Sequence, residues 1–144
     1  MDFDSALSAL PHGPEFRFVD ALVSLEPGKS ATGSYRLRGD EPFLKGHFPG
    51  EPLMPAVLMV EAIAQIAGVA AQTDPVIPPL ADLRLTAIRS VKVFGAAFPG
   101  DGLQIEAEVQ GRMGPLIQAT GRVRLGEKIL AEGQVTLSGG AAPP

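Results

Sequence analysis

A histidine and a glutamate fourteen positions apart are the residues of this chain best suited to acid–base chemistry. Glu61 stands in the most apolar stretch of the sequence, where Val57, Leu58 and Ala64 supply no cation one helical turn away. A carboxyl group in apolar surroundings holds its proton to higher pH and can act as a proton donor. His47 lies upstream in a Gly- and Pro-rich loop, and an imidazole, with an ordinary pKa of about 6.5, is a suitable proton acceptor. The two residues are therefore predicted to form an acid–base pair.

Other chemistries have less support in the sequence. A metal site would need His47, Glu61 and His12, but their spacing matches no standard ligand pattern and the chain has no cysteine. No serine stands in a G-x-S-x-G pattern. We therefore predict no metal and no cofactor, and we interpret His12, in "LPHGPEF", as structural.

An apolar helix is predicted from Pro55 to about Gln72, directly after the loop that carries His47. Its first backbone N–H groups lack partners within the helix and can polarise a carbonyl oxygen. A base, an acid and an oxyanion donor are what the elimination of water next to a thioester requires. The helix is apolar on every side, which predicts that other layers enclose it.

The remaining elements are mostly strands. A short helix is predicted over residues 5–10, a hairpin over 16–25 and 30–37, a strand over 83–94, and an antiparallel meander over 103–109, 117–125 and 129–137, where apolar and polar residues alternate. The predicted fold class is α+β, with one long helix against a sheet of five or six strands. Residues 1–138 are expected to form one domain, and residues 139–144 a disordered tail.

Composition excludes several classes of protein. The formal net charge is −4 and Lys and Arg are scattered, so nucleic-acid binding is not expected. The N-terminus lacks the features of a secretory signal, and the apolar helix is too short and too polar for a membrane span, so a cytoplasmic location is predicted. The 45% content of hydrophobic residues suggests an additional buried surface, such as a subunit interface.

The stretch "GHFPGEPLMPAVLMVEAIAQ", residues 46–65, resembles the 3-hydroxyacyl-(acyl carrier protein) dehydratases of the FabA/FabZ type. Their hallmark is a GHFPG-x-P-x-MPG loop followed by an apolar helix that bears the acid and then a Gln. "LPHGPEFRFVD" and "FPGD" extend the resemblance over nearly the whole chain. Glu61, where the other branch has Asp, indicates the FabZ-like branch, which usually lacks isomerase activity.

The resemblance implies a hot-dog fold, in which the sheet wraps the central helix, and a homodimer that in some members assembles into a trimer of dimers. Each active site would take His47 from one subunit and Glu61 from the other. His47 would remove the proton alpha to the thioester, and Glu61, directly or through a water, would protonate the departing hydroxyl. The backbone N–H of Ala56 would bind the thioester carbonyl, and Gln65 would orient the acid.

Gly50 and Pro55 are supporting positions of the same motif, and the implied partner is an acyl carrier protein. The sequence departs from the family at Ala56, where Gly is usual, and the added methyl group predicts narrower acyl access. It also has fewer basic residues before "FPGD" than is common. Arg84, Arg89 and Lys92 are the candidates for docking an acidic carrier.

Two alternatives to a dehydratase are considered. A hot-dog acyl thioesterase would use a helix carboxylate and a water, and would not need the paired loop histidine. A non-catalytic acyl-binding module would not need His47 and Glu61, although Ala56 leaves this alternative open.

Overall fold

A six-stranded antiparallel sheet wraps around one long helix in the computed structural model, which describes residues 2–140. The helices are α1 (Phe3–Ser8) and α2 (Ala56–Gln72), with 3₁₀ turns at Pro14–Phe16 and Pro42–Lys45; the strands are β1 (Ala21–Glu26), β2 (Ser30–Arg36), β3 (Ala81–Val93), β4 (Gly102–Met113), β5 (Leu116–Leu125) and β6 (Lys128–Gly140). The strand order is β1-β2-β4-β5-β6-β3. Helix α2 packs against β2, β4, β5, β6 and β3. The predicted α+β hot-dog architecture is confirmed.

The segment before β1 differs from the prediction. Strand β1 begins at Ala21 rather than at residue 16, because the backbone N–H of buried Phe18 donates to the Gln65 side chain instead of to a strand (2.9 Å). Helix α1 begins before the predicted residue 5, since the side chain of Asp2 caps it by accepting from the Ser5 N–H at 2.7 Å. The chain thus approaches the central helix before it enters the sheet.

Helix α2 has nearly the predicted bounds, with Pro55 in the preceding cap position. From Met59 to Ala71 every residue except Glu61 is buried. Within one chain, the enclosure is incomplete at the first turn, where Val57 is 74% exposed. Within the described residues, no helix is long and apolar enough to span a membrane.

The last strand extends further than expected. Strand β6 continues to Gly140 and therefore includes the first two residues of the predicted tail. Its end pairs with the start of β3, where Gly140 lies opposite Ala81. Residues 141–144 of the predicted tail lie outside the described part of the chain.

Two glycines allow α2 to approach the sheet closely. A Cβ atom at Gly121 of β5 would overlap Ile63 Cγ2 and would lie 2.6 Å from the Glu106 carbonyl oxygen. A Cβ atom at Gly33 of β2 would lie 2.6 Å from Ile66 Cδ1. Because glycine has no side chain at these two positions, α2 can lie close to the sheet. The same short distance sets the height of Glu61 above the strands.

We predict opposite effects for two Gly→Ala substitutions. Gly121→Ala should lower the free energy of unfolding by about 1 to 3 kcal/mol, since a backbone oxygen blocks the new methyl group. Gly68→Ala, within α2, should raise it by about 0.5 to 1 kcal/mol, because the methyl group would meet Leu83 and Leu137 only at 3.8 and 4.0 Å. Denaturant unfolding measures both, and a neutral Gly121→Ala would contradict the close approach.

Candidate active site

The carboxylate of Glu61 has two neighbours that hold the same oxygen. Gln65, one turn further along α2, donates from Nε2 to Glu61 Oε2 at 3.0 Å. His12 places its Nε2 3.3 Å from that oxygen. The Glu61 side chain is 19% exposed, so the carboxylate is accessible but largely enclosed. No hydrogen bond to Oε1 is found within residues 2–140, so this oxygen has no hydrogen-bond partner in the described part of the chain.

Gln65 is the polar residue around which the site is arranged. It is 1% exposed, and its Oε1 accepts from the Phe18 N–H at 2.9 Å. Its Nε2 donates to the Phe16 carbonyl at 2.9 Å and to Glu61. Since an amide nitrogen has two hydrogens, both are used, and the amide orientation is fixed. Gln65 thereby joins the acid on α2 to the segment before β1.

His12 is a site residue that the sequence interpretation missed. Its ring lies over Phe16, with centroids 6.3 Å apart and planes at 24°, and its side chain is 28% exposed. Arg17 Nη2 donates to the carbonyl oxygens of Leu10 and His12, each at 3.3 Å. The sequence feature that could have identified it is that His12, the only histidine besides His47, lies in a motif of the resemblance. Its separation of 49 residues from Glu61 conceals the contact.

A cavity of about 550 Å³ opens beside Glu61. Its volume lies within the usual range for small-molecule sites. His12, Glu61 and Gln65 form one polar part of its lining. The rest comes from α1, α2, β3 and β6 and is largely apolar, including Ala9, Leu10, Ala64, Gly68, Leu83 and Leu137, with polar groups also from Gln72, Thr73, Asp82 and Arg84. Such a space suits a ligand with one reactive polar end and an aliphatic chain.

The loop before α2 fixes the ring of His47. His47 Nδ1 lies 2.9 Å from the Leu53 carbonyl oxygen, and the ring stacks on Phe48 with centroids 4.0 Å apart. A carbonyl only accepts hydrogen bonds, so Nδ1 must carry the hydrogen. In the neutral imidazole Nε2 then has a free lone pair and is the basic atom.

A tight turn shapes this loop. The Phe48 carbonyl accepts from the Glu51 N–H at 2.8 Å, with Pro49 and Gly50 at the corner. Gly50 has a φ of +78°, which favours glycine over other residues. The end of the loop is held where the Met54 N–H donates to the Ala97 carbonyl at 2.9 Å. Gly50 therefore supports the position of His47 through the backbone.

A partly buried carboxylate anchors the other end of the loop. Glu41 accepts from the backbone N–H of Arg38 and Gly39 and from the Tyr35 hydroxyl (2.7 Å). Burial alone would raise the pKa of Glu41, but these hydrogen bonds outweigh it and lower that pKa below its ordinary value. Burial and the neighbouring Glu41 carboxylate raise the pKa of the Tyr35 phenol. The loop thus leaves β2 from a fixed point.

The structure of one chain does not bring His47 and Glu61 together. The His47 ring bonds to the Leu53 carbonyl and stacks on Phe48, and His47 does not line the cavity beside Glu61. Ala56 is the first residue of α2, and no side chain in the described part of the chain makes a capping hydrogen bond at the helix start. An acceptor could therefore reach its backbone N–H.

The three basic candidates lie along β3, at the edge of the sheet. Arg84, Arg89 and Lys92 are all exposed, and Arg84 also lines the cavity.

Among the described residues, no group of three His, Cys, Asp or Glu side chains is arranged to hold a metal ion.

Comparison with known families gives a consistent match. Residues 10–134 match the model of the FabA-like domain. Curated proteins named 3-hydroxyacyl-[acyl-carrier-protein] dehydratase FabZ are similar: 42% identity in Geotalea uraniireducens (75% of each chain), 36% in Natranaerobius thermophilus (95% of this chain, 96% of that protein) and 35% in Desulforamulus reducens (94% of each).

Solved structures share the fold at low sequence identity. The dehydratase heterocomplex ApeI:P from Xenorhabdus doucetiae has a TM-score of 0.79 at 17% identity, covering 96% of this chain and 91% of that one. Zebra fish thioesterase superfamily member 2 has a TM-score of 0.69 at 17% identity, covering 94% and 91%. At this identity both matches concern the fold alone.

We predict that Gln65→Met lowers the free energy of unfolding by about 1 to 3 kcal/mol, since it leaves the buried Phe18 N–H without an acceptor. Gln118→Met, at an exposed position of β5, is the matched control and should change stability by less than about 0.5 kcal/mol. Denaturant unfolding of both variants tests this. Equal effects would show that the buried amide has no special role.

Proposed function

Because the chain belongs to the FabA-like family and is a dehydratase of the FabZ type, we propose that it converts 3-hydroxyacyl chains on acyl carrier protein to trans-2-enoyl chains. The observation that carries this proposal is the Glu61 carboxyl, which stands at the polar end of a largely apolar cavity with one oxygen unoccupied by the surrounding residues. A 3-hydroxyacyl thioester has the matching shape, with a hydroxyl group near the reacting carbon and an aliphatic chain beyond it.

In the proposed enzyme each site is shared by two subunits, with His47 from one and Glu61 from the other. Three observations support a homodimer. His47 and Glu61 are not in contact within one chain, β3 is an edge strand with only β6 beside it, and large apolar side chains around the loop and β3 are exposed: Phe48, Val57, Ile88, Val93, Phe94 and Phe98. An exposed edge and an exposed apolar surface are both typical of a subunit interface.

The reaction begins at the carbon alpha to the thioester. The Nε2 lone pair of His47 takes the alpha proton, and the C–H electron pair forms the enolate. The Nδ1–H hydrogen bond to Leu53 keeps the ring oriented and also stabilises the resulting imidazolium. The negative charge on the thioester oxygen is stabilised by the Ala56 N–H at the positive end of the α2 dipole.

Loss of the hydroxyl group completes the elimination. Protonated Glu61, directly or through a water, gives its proton to the 3-hydroxyl oxygen. The C–O bond breaks with its electron pair on the departing water, and the enolate electrons form the double bond. The alpha proton has moved to His47, which is left as an imidazolium, and the Glu61 proton has moved to the departing water, which leaves Glu61 as a carboxylate. The positive charge gained by His47 equals the negative charge gained by Glu61, so the charges balance.

The carrier would approach along β3. Arg84 is exposed at the cavity and Arg89 and Lys92 follow on the same strand, so their positive charge can meet an acidic carrier surface. The proposal places the enzyme in the cytoplasm as a homodimer or a trimer of dimers.

A mixed dimer tests whether the site is shared. Chains with His47→Ala and with Glu61→Gln, co-expressed with different tags, should each be inactive as homodimers, and the purified mixed dimer should regain about half of wild-type turnover, since it has one intact site. Turnover is measured as enoyl product formed from a 3-hydroxyacyl carrier substrate.

The reciprocal mixed dimer is the control. Wild type paired with a chain carrying both substitutions has no intact site if residues are shared, and should be inactive. Half activity there, with none in the first mixed dimer, would place both residues of a site in one chain. A wild type that releases free thiol and forms no enoyl product would instead be a thioesterase, and one that does neither would be a binding module.

Ala56→Gly tests the effect of the extra methyl group. We expect wider acyl access, seen as an increase of up to roughly ten-fold in kcat/KM for longer chains, with less change for short ones. Turnover across a series of chain lengths measures this. An unchanged rate and unchanged chain-length preference would contradict a steric role for Ala56.

A further inference from the structure

We propose that His12 is a positioning residue for the acid. Together with Gln65 it occupies Oε2 of Glu61, so that the transferable proton resides on Oε1. This inference rests on the proposed dehydratase function for its catalytic meaning, while the Gln65 hydrogen bond to Oε2 and the 3.3 Å approach of His12 Nε2 to the same oxygen stand on the geometry alone.

The amide of Gln65 cannot be rotated without loss. Its oxygen accepts from the Phe18 N–H, and both hydrogens of Nε2 are used, by the Phe16 carbonyl and by Glu61 Oε2. A flipped amide would set its oxygen against the Phe16 carbonyl and its NH₂ group against the Phe18 N–H. The donor that reaches Oε2 is therefore fixed by buried backbone groups.

His12 Nε2 is the second nitrogen that faces Oε2. Its Nδ1 is buried and has no hydrogen-bond partner among residues 2–140, so a hydrogen on that nitrogen would be a buried unsatisfied donor. The favoured neutral form carries its hydrogen on Nε2, which is the atom that faces Glu61 at 3.3 Å. His12 is thus arranged as a donor to the carboxylate.

The segment around His12 is itself held in place. Arg17 Nη2 donates to the His12 carbonyl, and the His12 ring stacks on Phe16, whose carbonyl is bound by Gln65. Gln65 therefore contacts Oε2 itself and, through Phe16, also helps to hold the segment that places His12 beside the same oxygen. With Oε2 facing two N–H groups, a protonated Glu61 has space for its hydrogen only on Oε1.

Two substitutions test separately the contributions of the N–H group and of the ring of His12. His12→Phe keeps the stacking on Phe16 and loses the N–H, and we expect kcat to fall roughly ten- to a hundred-fold with KM changed by less than about two-fold. His12→Gln loses the ring but can place an NH₂ near the same point, and should recover most of the lost kcat. Thermal unfolding of both variants controls for a loss of structure.

The outcomes distinguish the possible roles. Wild-type kcat in His12→Phe would overturn the proposal, because the donor would then be unnecessary. Equal loss in both variants would also overturn it and would assign a packing role to the ring. A rise in KM without a fall in kcat would indicate a contact with substrate rather than positioning of the acid.

A spectroscopic measurement tests the contact between His12 and Glu61 even if the protein shows no dehydratase activity. In ¹⁵N-histidine-labelled wild type, we expect His12 to be protonated at Nε2 and not at Nδ1, and the Nε2 shift to move in Glu61→Gln. Hydrogen on Nδ1, or a His12 Nε2 shift that is the same in Glu61→Gln as in wild type, would overturn the proposal. Absence of enoyl product from wild type, by contrast, would reject only the proposed function.

Discussion

The buried amide of Gln65 is the interaction on which the site depends. It is the point at which α2, the acid and the segment before β1 meet, because each of its hydrogen-bonding atoms has a protein partner. An amide in an apolar core is stable only when its hydrogen bonds are complete. Helix α2 therefore cannot shift along the sheet without unpairing the Phe18 N–H, and the position of Glu61 follows from that restriction.

The two histidines of the chain are held in opposite tautomers by their surroundings. Leu53 requires a hydrogen on Nδ1 of His47, which leaves Nε2 as a base. Glu61 and the buried Nδ1 favour a hydrogen on Nε2 of His12, which makes that atom a donor. In the proposed mechanism histidine would thus serve as a base at one position and as a donor at the other, and the neighbouring backbone carbonyl or carboxylate makes the difference between them.

The sequence was sufficient to predict the parts of the fold that follow from local patterns. The apolar run after Pro55 predicted α2 almost to the residue, and the alternation from Leu103 onward predicted the meander, because side-chain period depends only on neighbouring residues. It was also sufficient to identify Glu61 as unusual, since a carboxyl in an apolar helix needs a reason.

What the sequence could not predict depends on contacts between distant residues. Residues 16–20 have the composition of a strand, yet Phe18 bonds to Gln65, 47 positions away. His12 was assigned a structural role because no local pattern connects it with Glu61. The absence of a cation in the turns around Glu61 was read correctly, but the donor comes from a segment that folds back over the helix.

The short helix α1 has a consequence for how this protein can vary. Ala6 and Ala9 line the cavity beside Leu10, whereas the acid lies on α2 and the basic histidine on a separate loop. In the proposed enzyme, one part of the wall around the acyl chain is therefore built from Ala6 of α1 and the residues that follow this helix, which carry none of the reacting groups. Selectivity for chain length can diverge among relatives through small-to-large exchanges in that wall, while the chemistry on α2 stays under separate constraint.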